Sequence, residues 1–470
     1  MAFLGAALLV FIIIVRPQEF IPALAKVGVL NIATGIAALG VAVELAMGKQ
    51  KRLGSPQLPL IFAFLAWCYV TVIVRAGFGG LEQTHKTIFY STLFMFAVYF
   101  GARTRARLKR MMALLVALGL FLAYVATSQY HHEFECIKLS AEDVRAGTRT
   151  GGEPTGRACV LSRLECDAED RAMAVDYAAE EFEYVCEKAG PFETFTVAHG
   201  RVRWRGILAD PNELSLALGA ASALAFGFHG ASRRKSRHIV LGAVVALCAY
   251  GVIRAQSRSG VMVMGAVLGV YFVRRYGVVR GVLVGAAMAA PLLLLGGRSG
   301  DEADSSSEER AGALWKGLEL VREYPLFGVG RGLFSDHYFL TAHNSYLLTA
   351  AELGLPGMLL WSTLMYVTVK VPFTLAFRTP EGIDPELREL ALAIFVSFCA
   401  FLVGVAFLSF AYHNLLWIYI GLSGALYGVA RETSPAFRVK VSGKEVGILG
   451  AMDVGLLAFL ALYTKLRGAG

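Results

Sequence analysis

Apolar runs of about twenty residues recur from end to end of the chain, and no other feature limits its fold so strongly. A bilayer's hydrocarbon core takes about 20 residues of α-helix, so each run predicts a span. They fall near residues 2–15, 28–47, 58–75, 87–101, 111–127, 212–229, 239–256, 260–273, 279–296, 346–371, 388–411 and 415–430. About twelve transmembrane helices follow, and 446–463 stays open as a thirteenth because Asp453 stands in its middle. With 56% of the 470 residues hydrophobic and 17% charged, against roughly a quarter charged in soluble domains, a cytosolic enzyme is excluded. The expected fold class is an all-α polytopic membrane protein.

The net charge is +9, but the basic residues sit in short clusters between apolar runs. That is a topological pattern, so no nucleic-acid partner is expected. Zinc-finger spacing, a Walker loop and a dinucleotide fingerprint are all missing. The first run lacks a basic n-region and a small-residue cleavage site, which predicts a retained first helix. With the N-terminus inside, four clusters face the cytoplasm: Lys49/Lys51/Arg52, Arg103/Arg105/Arg107/Lys109/Arg110, Arg233/Arg234/Lys235/Arg237 and Arg274/Arg275/Arg280. Two long loops, 129–211 and 297–345, then face outward. The chain divides into helices 1–5 (1–128), a cysteine-bearing loop domain (129–211), helices 6–9 (212–296), a second outer loop (297–345) and the C-terminal helices (346–470).

Four of the seven cysteines, Cys136, Cys159, Cys166 and Cys186, lie in the first outer loop. Their concentration there predicts two disulfides, with three pairings open. A metal site built with His131, His132 and Glu133 competes, but no zinc-type C-x-x-C pair is present. From Leu164 to Lys188 apolar residues recur at helical intervals, which predicts an amphipathic helix. Arg201, Arg203 and Arg205 stand on the outer side against the positive-inside tendency; binding an anionic headgroup or phosphate explains them, as does anchoring at the interface. Arg254 and Arg258 lie at a membrane boundary, where an arginine is costly unless paired.

The second outer loop opens with Asp301, Glu302, Asp304, Glu308 and Glu309, read as a solvated turn rather than a cation site. Trp315, Leu318 and Val321 predict a short interfacial helix, ended by Pro325-Leu326-Phe327-Gly328-Val329-Gly330-Arg331-Gly332. His343-Asn344-Ser345-Tyr346 then leads into the span with Glu352. One imidazole among guanidiniums at a membrane boundary fits a diphosphate-activated donor.

In order, Gly206 to Asn212, Ser257-Arg258-Ser259-Gly260, Arg310 with Trp315, Pro325 to Gly330, Ala342-His343-Asn344-Ser345-Tyr346 and Ala351-Glu352-Leu353-Gly354 resemble the O-antigen ligase and O-antigen polymerase family. Arg16-Pro17-Gln18-Glu19 is similar to some members. The resemblance implies a glycosyltransferase of the C type in the bacterial inner membrane, with its active site facing the periplasm. Its donor would be an undecaprenyl-diphosphate-linked glycan. Its acceptor would be lipid A-core sugar, a growing polymer or a protein hydroxyl, and it would need neither metal nor cofactor. Carried over residue by residue, Arg258 and Arg310 would grip the diphosphate. Arg205 is a third candidate for that role, and His343 is expected to be the base, since its unperturbed pKa of about 6.5 leaves it mostly neutral near pH 7. Asn344 and Glu352 are expected to orient the imidazole, Asn212 to bind sugar, and the boundary Arg254 to line the substrate site. An anion transporter is the rival from another class, though no internal repeat or pair of broken helices is evident. Family members usually carry their largest outer loop at 297–345, whereas here 129–211 is larger.

Overall fold

The computed structural model describes residues 1–49, 54–139, 151–160, 165–166, 184–198, 200–230, 235–283, 287, 301–378 and 380–468. Within them the helices are α1 (Ala2–Val15), α2 (Pro22–Ala25), α3 (Val29–Ala46), α4 (Leu58–Ala76), α5 (Leu81–Gly101), α6 (Arg105–His131), α7 (Pro211–Gly230), α8 (Lys235–Arg254), α9 (Arg258–Tyr276), α10 (Asp301–Glu323), α11 (Ser345–Phe377), α12 (Pro385–Val405), α13 (Asn414–Thr433) and α14 (Gly443–Leu466). Among the described residues, six are long and apolar enough to cross a membrane: α3, α4, α6, α11, α12 and α14. The chain is a polytopic helical membrane protein. Helices also cover the other expected runs, except that 388–411 is helical only to Val405 and 279–296 lies largely outside the described residues.

Helix α14 answers the question left by Asp453. That carboxylate is buried and accepts the Ser362 hydroxyl of α11 at 2.8 Å, so a polar residue inside an apolar helix is met by a partner. Elsewhere α14 exposes Ile448, Met452, Val454, Phe459 and Leu462, the surface that a lipid-facing helix presents.

Helix α7 is central, packing against α6, α8, α9 and α12. Helix α11 packs on α4, α10, α12, α13 and α14. These two carry the ends on which the candidate site is built.

Between α6 and α7 lies a small antiparallel sheet of β1 (Phe134–Leu139), β2 (Gly152–Ala158), β3 (Tyr184–Gly190) and β4 (Thr194–Phe195), in the order β2-β1-β3-β4. Disulfides join Cys136 to Cys166 and Cys159 to Cys186, resolving the pairing. Cys136 and Cys186 face each other in the β1–β3 register without bonding one another. The helix expected over 164–188 is corrected at its C-terminal end. Val185 to Lys188 belong to strand β3, because pairing with β1 satisfies their backbone groups; 167–183 lie outside the described residues.

The sheet is tied to the bundle by buried polar contacts. Gln129, near the end of α6, donates to Thr194 Oγ1 at 2.9 Å and accepts the Arg203 N–H at 3.0 Å. Trp204 Nε1 donates to Ile14 O at 2.6 Å. The acidic run at 301–309, expected as a solvated turn, is instead the opening of α10. Farther along α10, Leu318, Leu320 and Val321 pack with Leu347, Ala351 and Leu460.

Candidate functional site

The Pro325–Gly330 stretch has a structural reason. Helix α11 breaks at Gly354, whose φ is +72°, and Pro356 cannot donate to the carbonyl of Glu352 four residues earlier. The loop supplies what the helix lacks. Gly330 N–H donates to Glu352 O at 2.9 Å, Val329 N–H to Ala351 O at 2.9 Å, and Leu355 N–H to Pro325 O at 2.8 Å. A Cβ on Gly328 would stand 2.2 Å from the Glu352 carbonyl carbon, and one on Gly354 2.2 Å from Leu326 O. Only glycine permits this approach together with positive φ. Helix α4 braces the loop from the other side: Arg75 Nε donates to Gly328 O at 2.6 Å and Trp67 Nε1 to Leu353 O at 2.8 Å.

His343 ends the same outer segment, one residue before the N-cap of α11. Its φ is +48°, a conformation costing a non-glycine residue about 1–3 kcal/mol and held only where the surroundings over-determine it. Its N–H donates to Ser409 Oγ at 3.0 Å. The imidazole is half-buried, and its pKa lies below the usual 6.5. Burial is the main cause, with the positive charge of Arg310 second; the carboxylate of Asp210 opposes both. The ring is therefore mostly neutral at pH 7, the state a base requires.

Asp210 precedes α7 and accepts the Asn212 N–H at 2.6 Å. Asn212 Oδ1 accepts the Ser257 hydroxyl at 2.6 Å, and Ser257 caps α9 by accepting the Gly260 N–H at 3.0 Å. Arg258 is the first residue of α9 and is exposed. A run of contacts thus joins Ser257, the residue before Arg258, to Asp210, which acts electrostatically on His343 along with Arg310. The first turns of α7 and α9 meet here, and helix N-termini favour anions.

Other expected residues lie elsewhere. Arg205 is only 2% exposed; it donates to Phe192 O and pairs with Glu19 at 3.9 Å, while Arg16 holds the same carboxylate at 2.6 Å. These contacts join the chain after α1 to the end of the sheet. Arg201 donates to Ala255 O at 3.1 Å and Arg203 to Phe195 O at 3.2 Å, both buried. All three arginines are buried and donate to backbone carbonyls. Arg254 lies over the rings of Tyr130 and Tyr250 at 3.7 and 4.8 Å, packed at the sheet–bundle seam.

Asn344 was expected to orient the imidazole but is used as the N-cap of α11. Its Oδ1 accepts the Leu347 N–H at 2.9 Å and its Nδ2 donates to Ala406 O at 3.0 Å. Glu352 is buried beside Arg331 and Tyr412 and accepts the Phe334 N–H at 3.4 Å. Its carboxylate faces Arg331, Tyr412 and the backbone of the Arg331 loop. Asp210, Arg331 and Ser409 received no role from the sequence; Asp210 lay inside a motif already singled out, whereas Ser409 carries no local signal.

A half-buried neutral imidazole, the Arg310 charge and the first turns of α7 and α9 come together in a polytopic membrane protein, an arrangement suited to an anion. Residues 216–362 match the family model described as O-antigen ligase, and the chain carries an O-antigen ligase family domain over that stretch, similar there to enzymes that transfer lipid-linked glycans. The match holds Arg258, Arg310, His343 and Glu352, and leaves out the sheet, Asp210 and everything after residue 362. No curated protein matches the chain.

Proposed function

We propose that the protein transfers a glycan from undecaprenyl diphosphate to a hydroxyl of lipid A-core sugar at the periplasmic face of the bacterial inner membrane. The observation carrying this reading is the grouping of His343, Arg310 and Asp210, with Arg258 joined to them through Ser257 and Asn212. Arg258 and Arg310 hold the diphosphate and stabilise the charge that develops on the leaving oxygen. The acceptor oxygen attacks the anomeric carbon from the opposite side, and His343 takes its proton. One C–O bond forms as the bond to phosphate breaks, undecaprenyl diphosphate leaves, and the anomeric configuration inverts.

Comparing a deletion strain with one in which the gene is restored tests the proposal. A ligase predicts loss of all polymer from lipid A-core, with long glycan collecting on undecaprenyl diphosphate. Single repeat units still attached to the core would identify a polymerase, and an unchanged lipopolysaccharide profile would remove both.

A further inference from the structure

Residues 406–413, the connection between α12 and α13, lie outside the family match yet touch both sides of the candidate site. Toward the His343 turn, Ser409 Oγ accepts the His343 N–H at 3.0 Å and donates to Thr341 Oγ1 at 3.0 Å. Asn344 Nδ2 donates to Ala406 O at 3.0 Å, Ser345 Oγ donates to Leu408 O at 2.6 Å, and the Phe410 N–H donates to Ser345 Oγ at 2.8 Å. Toward Asp210, His413 Nδ1 accepts the Leu415 N–H at 3.2 Å, which places the ring proton on Nε2. That nitrogen donates to Ile207 O at 2.7 Å, three residues before Asp210. Phe410 and His413 stack at 3.7 Å between ring centres, so the two halves of the connection are themselves joined.

We infer that residues 406–413 act as a strap, with Ser409 and His413 as positioning residues that set the separation between His343 and the corner formed by Asp210, Asn212 and Arg258. The strap reaches His343 where the backbone is strained, through the His343 N–H. It reaches the other corner through a histidine with a fixed proton. Transfer of a hydroxyl onto an anomeric carbon depends steeply on this separation, since a misplacement of about 1 Å costs on the order of a hundredfold in rate.

The inference rests on His343 being the base, so three variants of the full-length protein are assayed together. The probe is lipid-linked glycan extracted from a strain lacking the gene, offered with the acceptor fraction of that strain. Ser409→Ala is expected to lower kcat at least ~10-fold, leave KM for the lipid-linked glycan within ~3-fold, and leave thermal unfolding near wild type. Ser409→Thr, which keeps the hydroxyl, is expected to restore kcat. Wild-type kcat in Ser409→Ala beside an inactive His343→Ala would overturn the strap alone. Equal losses in Ser409→Ala and Ser409→Thr, with earlier unfolding in both, would also overturn it, assigning the strap to stability. Full activity in His343→Ala would instead remove the reading on which it rests.

Discussion

Gly330 donates its N–H to the carbonyl of Glu352 at 2.9 Å, filling the place that Pro356 leaves empty in α11. A loop residue completes the hydrogen bonding of a broken membrane helix, where an unsatisfied carbonyl would be costly. Two glycines on the loop separate conformational from steric cost. Gly328→Ala adds a Cβ 2.2 Å from backbone and is expected to destabilise by about 2–4 kcal/mol. Gly332 also has positive φ but open space around it, so Gly332→Ala should cost only about 1 kcal/mol. Thermal unfolding of the purified variants checks the ranking.

The guanidiniums fall into two groups with different expected phenotypes. Arg258→Lys and Arg310→Lys should lower transfer by about 10²-fold or more with normal protein levels, because an ammonium cannot form the bidentate fork. Arg205→Lys should act chiefly on stability, because Arg205 is buried against Glu19 and Phe192. Rate and unfolding temperature measured on the same preparations distinguish the two groups.

His343 gives the reaction a directional pH dependence. Its pKa is held below 6.5 by burial and by Arg310, so the neutral base is lost only in acid, and the acid limb of the rate profile should lie below pH 6.5. Arg310→Gln removes a charge that lowers this pKa and should move the limb to higher pH. Asp210→Asn removes a charge that raises it and should move the limb lower. The profiles of residual activity check both signs.

His413 makes an acid-sensitivity prediction of its own. Its pKa is lowered to about 4 by burial, partly offset by its bond to Ile207 O. A depressed folded-state pKa means that stability from the neutral ring is present above the unfolded value of about 6.5 and is lost as pH falls toward 4. The loss is on the order of 3 kcal/mol. His413→Gln keeps a donor without a titrating group and should flatten the fall in unfolding temperature between pH 6.5 and 4.

Helices were legible because the hydrocarbon core imposes one length and one composition on every span, a signal each stretch carries by itself. Only α14 stayed open, because Asp453 stands at its centre and its partner Ser362, some ninety positions away, is not visible in sequence. The strands at Phe134–Leu139 and Tyr184–Gly190 were hidden, since their pairing across Cys136 and Cys186 is a long-range fact. Charge on Arg201, Arg203 and Arg205 could be read, but not that backbone carbonyls would receive it. The site divides the same way: His343 and Arg310 stood in recognisable motifs, whereas the Ser409 hydroxyl matters only through a contact 66 residues distant.

The central claim is that His343 takes the acceptor's proton during glycan transfer. The most direct test compares wild type and His343→Ala in the deletion strain at matched membrane levels, measuring glycan on the acceptor and glycan remaining on undecaprenyl diphosphate. The predicted result is loss of acceptor-bound glycan by 10²-fold or more, as expected of general-base catalysis, with lipid-linked glycan accumulating. Wild-type amounts of acceptor-bound glycan with no accumulation would contradict it.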